Sequence, residues 1–276
     1  MNNLPNRRMR RRRRLRRRSG GFRMSISIII LIIVVIIVFF VNRDGGVPET
    51  GTPYNEQSDT TGDSSEGDAA RNDAITLRDK HDMIVWLDAG HGGIDSGTLA
   101  ILDGVTYLEK DIALNITMMV YGMFGRSDSG ITVMLTRSED VYVHRFDRPA
   151  LWNGIADLLV SVHINFYEGP TAQTVSGIEV HFDGTSDENT GRVNISNEMF
   201  AQIMQNNLVA KTAARDRGIR GHYSWIVTNG STMPAVLIEA GFMSNPDELA
   251  LLVTEEYQMK IASAIYDAIV EAFSFS

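Results

Sequence analysis

The sequence predicts an α/β domain, with a mostly parallel central sheet of about six strands and helices on both faces, preceded by one transmembrane helix. Three observations carry this expectation. Short apolar runs alternate with longer stretches of helical periodicity from about residue 74 to residue 276, the pattern of strands interleaved with helices. An uninterrupted apolar run lies directly behind an arginine block near the N-terminus. The composition, 43% hydrophobic and 22% charged over 276 residues with no cysteine, supports a buried core. It excludes a wholly disordered chain, a disulfide framework, cysteine-ligated zinc, an iron–sulfur cluster and a cysteine nucleophile.

The charges are segregated. Of the 26 Lys and Arg, 11 are arginines within residues 1–23, where no acid occurs, so the remaining 15 stand against all 34 Asp and Glu. An acidic body repels phosphate backbones, so no nucleic-acid partner is expected, and no protein partner is predictable. Residues 24–41, MSISIIILIIVVIIVFFV, contain no charge, proline or glycine. As a helix they span roughly 27 Å, the thickness of bilayer hydrocarbon. The preceding arginines orient such a helix with its N-terminus in the cytoplasm and the chain after Val41 outside. A cleaved signal peptide is the rival reading. Its apolar region runs about 7–15 residues and ends in a small-residue cleavage site, whereas this longer run is followed by NRDGG, which favours an uncleaved signal anchor. Residues 42–73 hold eight acids, two arginines and few large apolar side chains, too little apolar surface to fold. The expected organisation is therefore a cytoplasmic arm (1–23), a membrane anchor (24–41), a disordered acidic linker (42–73) and one folded domain (74–276).

Within that domain the strand candidates, in order, are Met83–Asp88, Ile131–Thr136, Leu158–His163, Gly177–Phe182, Tyr223–Val227 and Ala235–Ile238. Each is a short run rich in β-branched and other apolar residues. The helix candidates are Glu109–Phe124, Phe146–Ile155, Val193–Ala214 and Glu255–Phe273. In the last, Ile261, Ala264, Ile265, Ala268 and Ile269 recur at the spacing of one helical face.

In an open α/β sheet, sites collect beyond the carboxyl ends of the strands. Three such ends carry metal- or proton-handling residues: His91 on the glycine-rich loop after Met83–Asp88, His163 closing Leu158–His163, and Glu239 directly after Ala235–Ile238. Glu109 lies at the predicted start of a helix. Two histidines and one carboxylate are a common catalytic zinc set, leaving a fourth position for water. Each residue also has an ordinary structural role: a hydrogen-bonded strand-end histidine, an acid favouring a helix N-terminus, or a carboxylate paired with an arginine at the sheet edge.

The stretches DAGHGGIDSGT, YLEKDIALNI, VMLTRSED, DLLVSVHIN, SGIEVHF and MPAVLIEAGFMSNPDE follow one another through Met83–Ser276. In that order the domain resembles the zinc-dependent N-acetylmuramoyl-L-alanine amidases, the peptidoglycan amidases of the Amidase_3 type. The resemblance implies that His91, Glu109 and His163 ligate Zn2+ and that Glu239 is the catalytic carboxylate and not a ligand. It implies hydrolysis of the amide between N-acetylmuramic acid and L-alanine, with peptidoglycan as the partner. A catalytically silent wall-binding protein on the same fold is the alternative. Asn165, His222 and Arg137 are expected to contact substrate, Arg137 through an acidic group of the stem peptide. Asp88 and Ser161 are candidate hydrogen-bond partners for the ligand histidines.

Overall fold

The computed structural model describes residues 83–186, 189–222 and 226–276. Six strands form the central sheet: β1 (Met83–Ala89), β4 (Ile131–Leu135), β5 (Leu158–Asn165), β6 (Ile178–Asp183), β7 (Asp216–His222) and β8 (Ala235–Phe242), in the order β4-β1-β5-β8-β6-β7. All neighbours pair in parallel except β6 and β8, which are antiparallel. A separate antiparallel hairpin joins β2 (Leu99–Leu102) to β3 (Val105–Leu108). The helices are α1 (Glu109–Phe124), α2 (Pro149–Trp152), α3 (Asn197–Thr212), α4 (Ile226–Asn229), α5 (Pro246–Leu252) and α6 (Glu255–Phe273).

Strand alternation sends successive side chains to opposite faces, and β1 shows how both faces are covered. Val85 and Leu87 enter a large core with Ile112, Ile116 and Val120 of α1, Phe200 and Met204 of α3, and the α6 stripe. Ile84 and Trp86 enter a smaller core with Trp152 of α2 and Val227 of α4. The five α6 stripe positions anticipated from periodicity are all fully buried, each isoleucine contributing roughly 1.5–3 kcal/mol by leaving water. Thr254 caps this helix by accepting the Tyr257 N–H.

Some boundaries differ from expectation. The strand that completes the sheet lies before the expected Tyr223–Val227. It is the polar Asp216–His222, held by pairing with β6 at the sheet edge, while Val227 belongs to α4 and packs in the smaller core. Residues 223–225 lie outside the described residues. The helix expected over Val193–Ala214 begins at Asn197, because the Ser196 side chain accepts the Met199 N–H as an N-cap. The helix expected over Phe146–Ile155 contracts to Pro149–Trp152: Pro149 suits a first turn, and Gly154 follows at φ 79°. The arginine arm, the apolar segment 24–41 and the linker fall outside the described residues, among which no helix is long and apolar enough to cross a membrane.

Candidate active site

The loop after β1 is shaped by two buried guanidiniums. Arg137 donates to the carbonyls of Ala89 (3.1 Å), Gly90 (2.7 Å), Lys110 (2.8 Å) and Glu139 (3.2 Å). Arg148 donates to those of Ala89 (3.0 Å), His91 (2.7 Å) and Val143 (3.2 Å). These contacts hold His91 at φ 58°, a left-handed conformation that costs a non-glycine residue energy and needs outside support. Arg148 is itself anchored by Asp88 at 2.5 Å, and Ser161 donates to the other Asp88 oxygen at 2.6 Å. Asp88 therefore accepts from Ser161 and from the arginine instead of from a histidine ring. Burial alone would raise Asp88, but Arg148 and the hydroxyls of Ser161 and Thr136 outweigh it and hold the carboxyl below the usual range. Arg137, expected to contact substrate, is buried with its donors engaged by the backbone. It is a fastener of the loop.

Glu109 opens α1 and is buried. Its Oε1 lies 3.0 Å from His91 Nε2 and 3.0 Å from His163 Nδ1, and accepts the Ile164 N–H at 3.1 Å. Its Oε2 accepts the N–H and hydroxyl of Thr98. Burial pushes its pKa up, but bonding and attraction to the two imidazoles outweigh that and leave it well below the carboxylate range. His91 is shifted upward: burial acts against its charged form, and Glu109 and Asp95 together prevail. The two rings meet edge to face at 4.8 Å between centroids. Space here is reserved by glycine. A Cβ on Gly90 would stand 2.5 Å from the His163 ring, and one on Gly97, at φ +64°, 2.6 Å from Glu109 Oε2.

Across the sheet, His163 of β5, Glu239 of β8 and Glu179 of β6 are successive register partners, so their side chains emerge on one face. The register then slips between His163 and Asn165, a bulge on β8 of the kind that re-aims side chains beside sites. Glu239 is buried, and its Oε2 has no hydrogen-bond partner. Burial, the Glu109 charge and the Glu179 charge push its pKa well above the carboxylate range. Glu179 behaves oppositely. Burial raises it, but His181 and Arg217 overcome that and bring it down to about 2; Arg217 Nε is 2.8 Å away, and Asn165 donates to its Oε1 at 3.0 Å.

His91, Glu109, His163, Asn165 and Glu239 line one cavity of about 570 Å³, together with Arg145, Arg148 and Val143. His222, expected near it, is not among the lining residues and stacks on His181 at 4.7 Å along the sheet edge. Among the described residues the group able to hold a metal is His91, Glu109 and His163, whose donor atoms lie within 4.8 Å of one another. Two imidazole nitrogens and one carboxylate oxygen suit zinc, with room for one more ligand. The unpartnered Oε2 of Glu239, lining the same cavity, is the buried polar atom such a centre would leave for a solvent ligand. Arg148 and Glu179 were not singled out from sequence. Nothing in periodicity marks an arginine in a loop or a carboxylate inside an apolar strand as a scaffold of the site.

The family model described as N-acetylmuramoyl-L-alanine amidase, Amidase_3, matches residues 85–271. The germination-specific N-acetylmuramoyl-L-alanine amidase of Bacillus subtilis is 32% identical over 209 residues, covering 69% of this chain and 80% of the relative. A crystal structure of N-acetylmuramoyl-L-alanine amidase from Clostridium difficile 630 superposes with a TM-score of 0.63 at 31% identity, covering 71% of this chain and 98% of that one. The catalytic domain of CwlV, the amidase of Bacillus (Paenibacillus) polymyxa, gives 0.61 at 29% identity, with 70% and 99% coverage.

Proposed function

The chain belongs to the Amidase_3 family of N-acetylmuramoyl-L-alanine amidases, and on that premise we propose that it is a zinc enzyme cutting the N-acetylmuramoyl–L-alanine amide of peptidoglycan at the cavity lined from the loop after β1, from β5 and β8, and from the start of α1. The observation that carries the reading is the meeting of His91, Glu109 and His163 within 4.8 Å, in a cavity that Glu239 also lines with an unpartnered oxygen.

In this reading His91, Glu109 and His163 hold the ion. Zinc, when bound, supplies Lewis acidity toward a carbonyl and a lowered pKa for water. A nitrogen of each ring lies 3.0 Å from Glu109 Oε1, so the three donor atoms converge on one point. Glu239 takes a proton from the attacking water and gives it to the leaving amine. That dual role requires a pKa near the working pH, and the burial that raises Glu239 works in that direction. Asn165, held by Glu179, presents a fixed polar group at the cavity wall. The silent-scaffold alternative gives no reason to keep an unpaired carboxylate in a buried position, where it costs stability.

We also place the domain on the outer side of a membrane, tethered through residues 24–41 with the arginine arm in the cytoplasm, on the charge and hydropathy pattern of the first 41 residues. The test of the activity is mass spectrometry of purified wall digested with residues 74–276, with and without zinc. New N-terminal alanine only in the zinc sample is the expected outcome, and its absence in both rejects the reading. For the tether, added protease should degrade the domain in spheroplasts without lysis; full protection would reverse the orientation.

A further inference from the structure

The cavity is lined by two guanidiniums, Arg145 and Arg148, and they differ in what is left of their charge. Arg148 spends its donors on Asp88 and on three backbone carbonyls. Arg145 is exposed, and among the described residues no carboxylate pairs with it. Its guanidinium rests over the Phe146 ring, 5.0 Å from the centroid.

The segment that carries it is held in place. Asp140 accepts the Gly93 N–H at 2.7 Å and pairs with Lys110 at 2.6 Å. Arg148 binds the Val143 carbonyl. A Cβ on Gly93 would come within 2.7 Å of Tyr142 N, so this segment lies directly on the glycine loop. Its side chains alternate. Val143 and Arg145 line the cavity, while the rings of Tyr142, His144 and Phe146 contact one another at 6.2 and 5.4 Å. The result is a cation on a clamped segment, in the same cavity as the metal-type cluster and Glu239.

We propose that Arg145 binds a carboxylate of the stem peptide, one or two residues beyond the scissile amide. The proposal rests on the amidase reading above. Arg145 lines the same cavity as His91, His163 and Glu239, and an extended peptide advances about 3.3–3.6 Å per residue, so a peptide leaving the scissile bond along that cavity brings its first or second residue about 3–7 Å further on. The carboxyl of muramic acid is consumed in the scissile amide, so the anion must come from the peptide side. The second stem residue, glutamate joined through its side-chain carboxyl, offers a free α-carboxylate unless it is amidated.

The experiment uses the zinc-loaded full chain and two muropeptides that differ only at that position, α-carboxylate against α-carboxamide. Wild type should favour the acid in kcat/KM by about tenfold, as a charge-assisted hydrogen bond predicts. Arg145→Gln should bring the ratio close to one, mainly through KM, and Arg145→Lys should restore part of it. Binding of the same pair to a Glu239→Gln background, read by calorimetry, should show the same preference and the same loss. An unchanged ratio in Arg145→Gln, or an equal loss on both substrates, overturns the proposal. Failure of wild type to cleave either muropeptide overturns the amidase reading itself, and the proposal with it.

Discussion

Replacing Glu239 by Gln isolates proton transfer from every other property of the site. Gln has the same shape and nearly the same volume, so the packing of β8 against β5 and β6 is retained, and His91, Glu109 and His163 are untouched. What is lost is an oxygen able to accept a proton from water and return it to the amine. A positioned general acid–base contributes about 10²–10⁴-fold, which at about 1.4 kcal/mol per decade is roughly 3–5 kcal/mol of barrier. The same substitution removes an ionisable group buried beside two other carboxylates with no partner on Oε2. The melting temperature should therefore stay level or rise. The assay has three readings on one sample: zinc per chain, melting temperature, and the rate at which N-terminal alanine appears from purified wall. One zinc, an undiminished melting temperature and a rate down by at least a hundredfold is the expected set. A rate within threefold of wild type, with zinc still bound, would refute the assignment of Glu239 as the base.

Two further substitutions probe how the site is held. Gly90→Ala places a Cβ 2.5 Å from the His163 ring at a position whose backbone is not in the left-handed region. The ring, not the chain, should yield, at an overpacking cost of about 1–3 kcal/mol, so zinc content should fall while far-UV circular dichroism is kept; a full complement of zinc would contradict the close approach. Asp88→Asn breaks a buried pair and leaves Arg148 uncompensated, a loss of about 3–5 kcal/mol at neutral pH. Because the folded pKa of Asp88 lies below its unfolded value, its contribution is present above pH ~4 and disappears as pH falls through the folded pKa. Urea midpoints of wild type and variant should converge on acidification below pH ~4, and a gap that stays constant would reject the linkage.

The parts of the fold that were legible share one property: their pattern is local and apolar. Val85 and Leu87 alternate with Ile84 and Trp86, and the α6 stripe repeats at helical spacing, so both announce which way they face. β7 does not, because DRGIRGH has a single large apolar residue and is a strand only by virtue of its pairing with β6. The β2–β3 hairpin did leave a signal. Asp103-Gly104 takes φ of 51° and 80° between two apolar runs, the two-residue turn that Asp-Gly favours. The four chemical residues could be named because the sequence puts each beside a short apolar run or a helix start inside a stretch that resembles the family, although β5 and β8 run on past His163 and Glu239 to Asn165 and Phe242. Their supports could not: Arg148 reaches 60 residues back to Asp88, and no spacing rule encodes that distance.

Glu109, Glu179 and Glu239 lie close enough to act on one another's charge, and their surroundings divide the labour among them. Glu109 has two imidazole nitrogens 3.0 Å from one oxygen and two donors from Thr98 on the other. Glu179 has Arg217, Asn165 and the nearby His181. Both are stabilised as anions, and both lie close enough to raise the third. Glu239 receives no cation of its own. Its strand neighbours Val236, Leu237, Ile238 and Ala240 are buried and apolar, so burial adds to the repulsion. Environments that push like groups apart in this way separate the anion that stays fixed from the one that exchanges a proton. The partition follows from where the positive partners stand. Arg217 serves Glu179 from β7, across the sheet edge, and the imidazoles serve Glu109 from β1's loop and β5. Moving either set toward Glu239 would turn it into another permanent anion. A Leu237→Arg substitution would do that from within the cavity wall, which predicts lost turnover even with all four chemical residues in place.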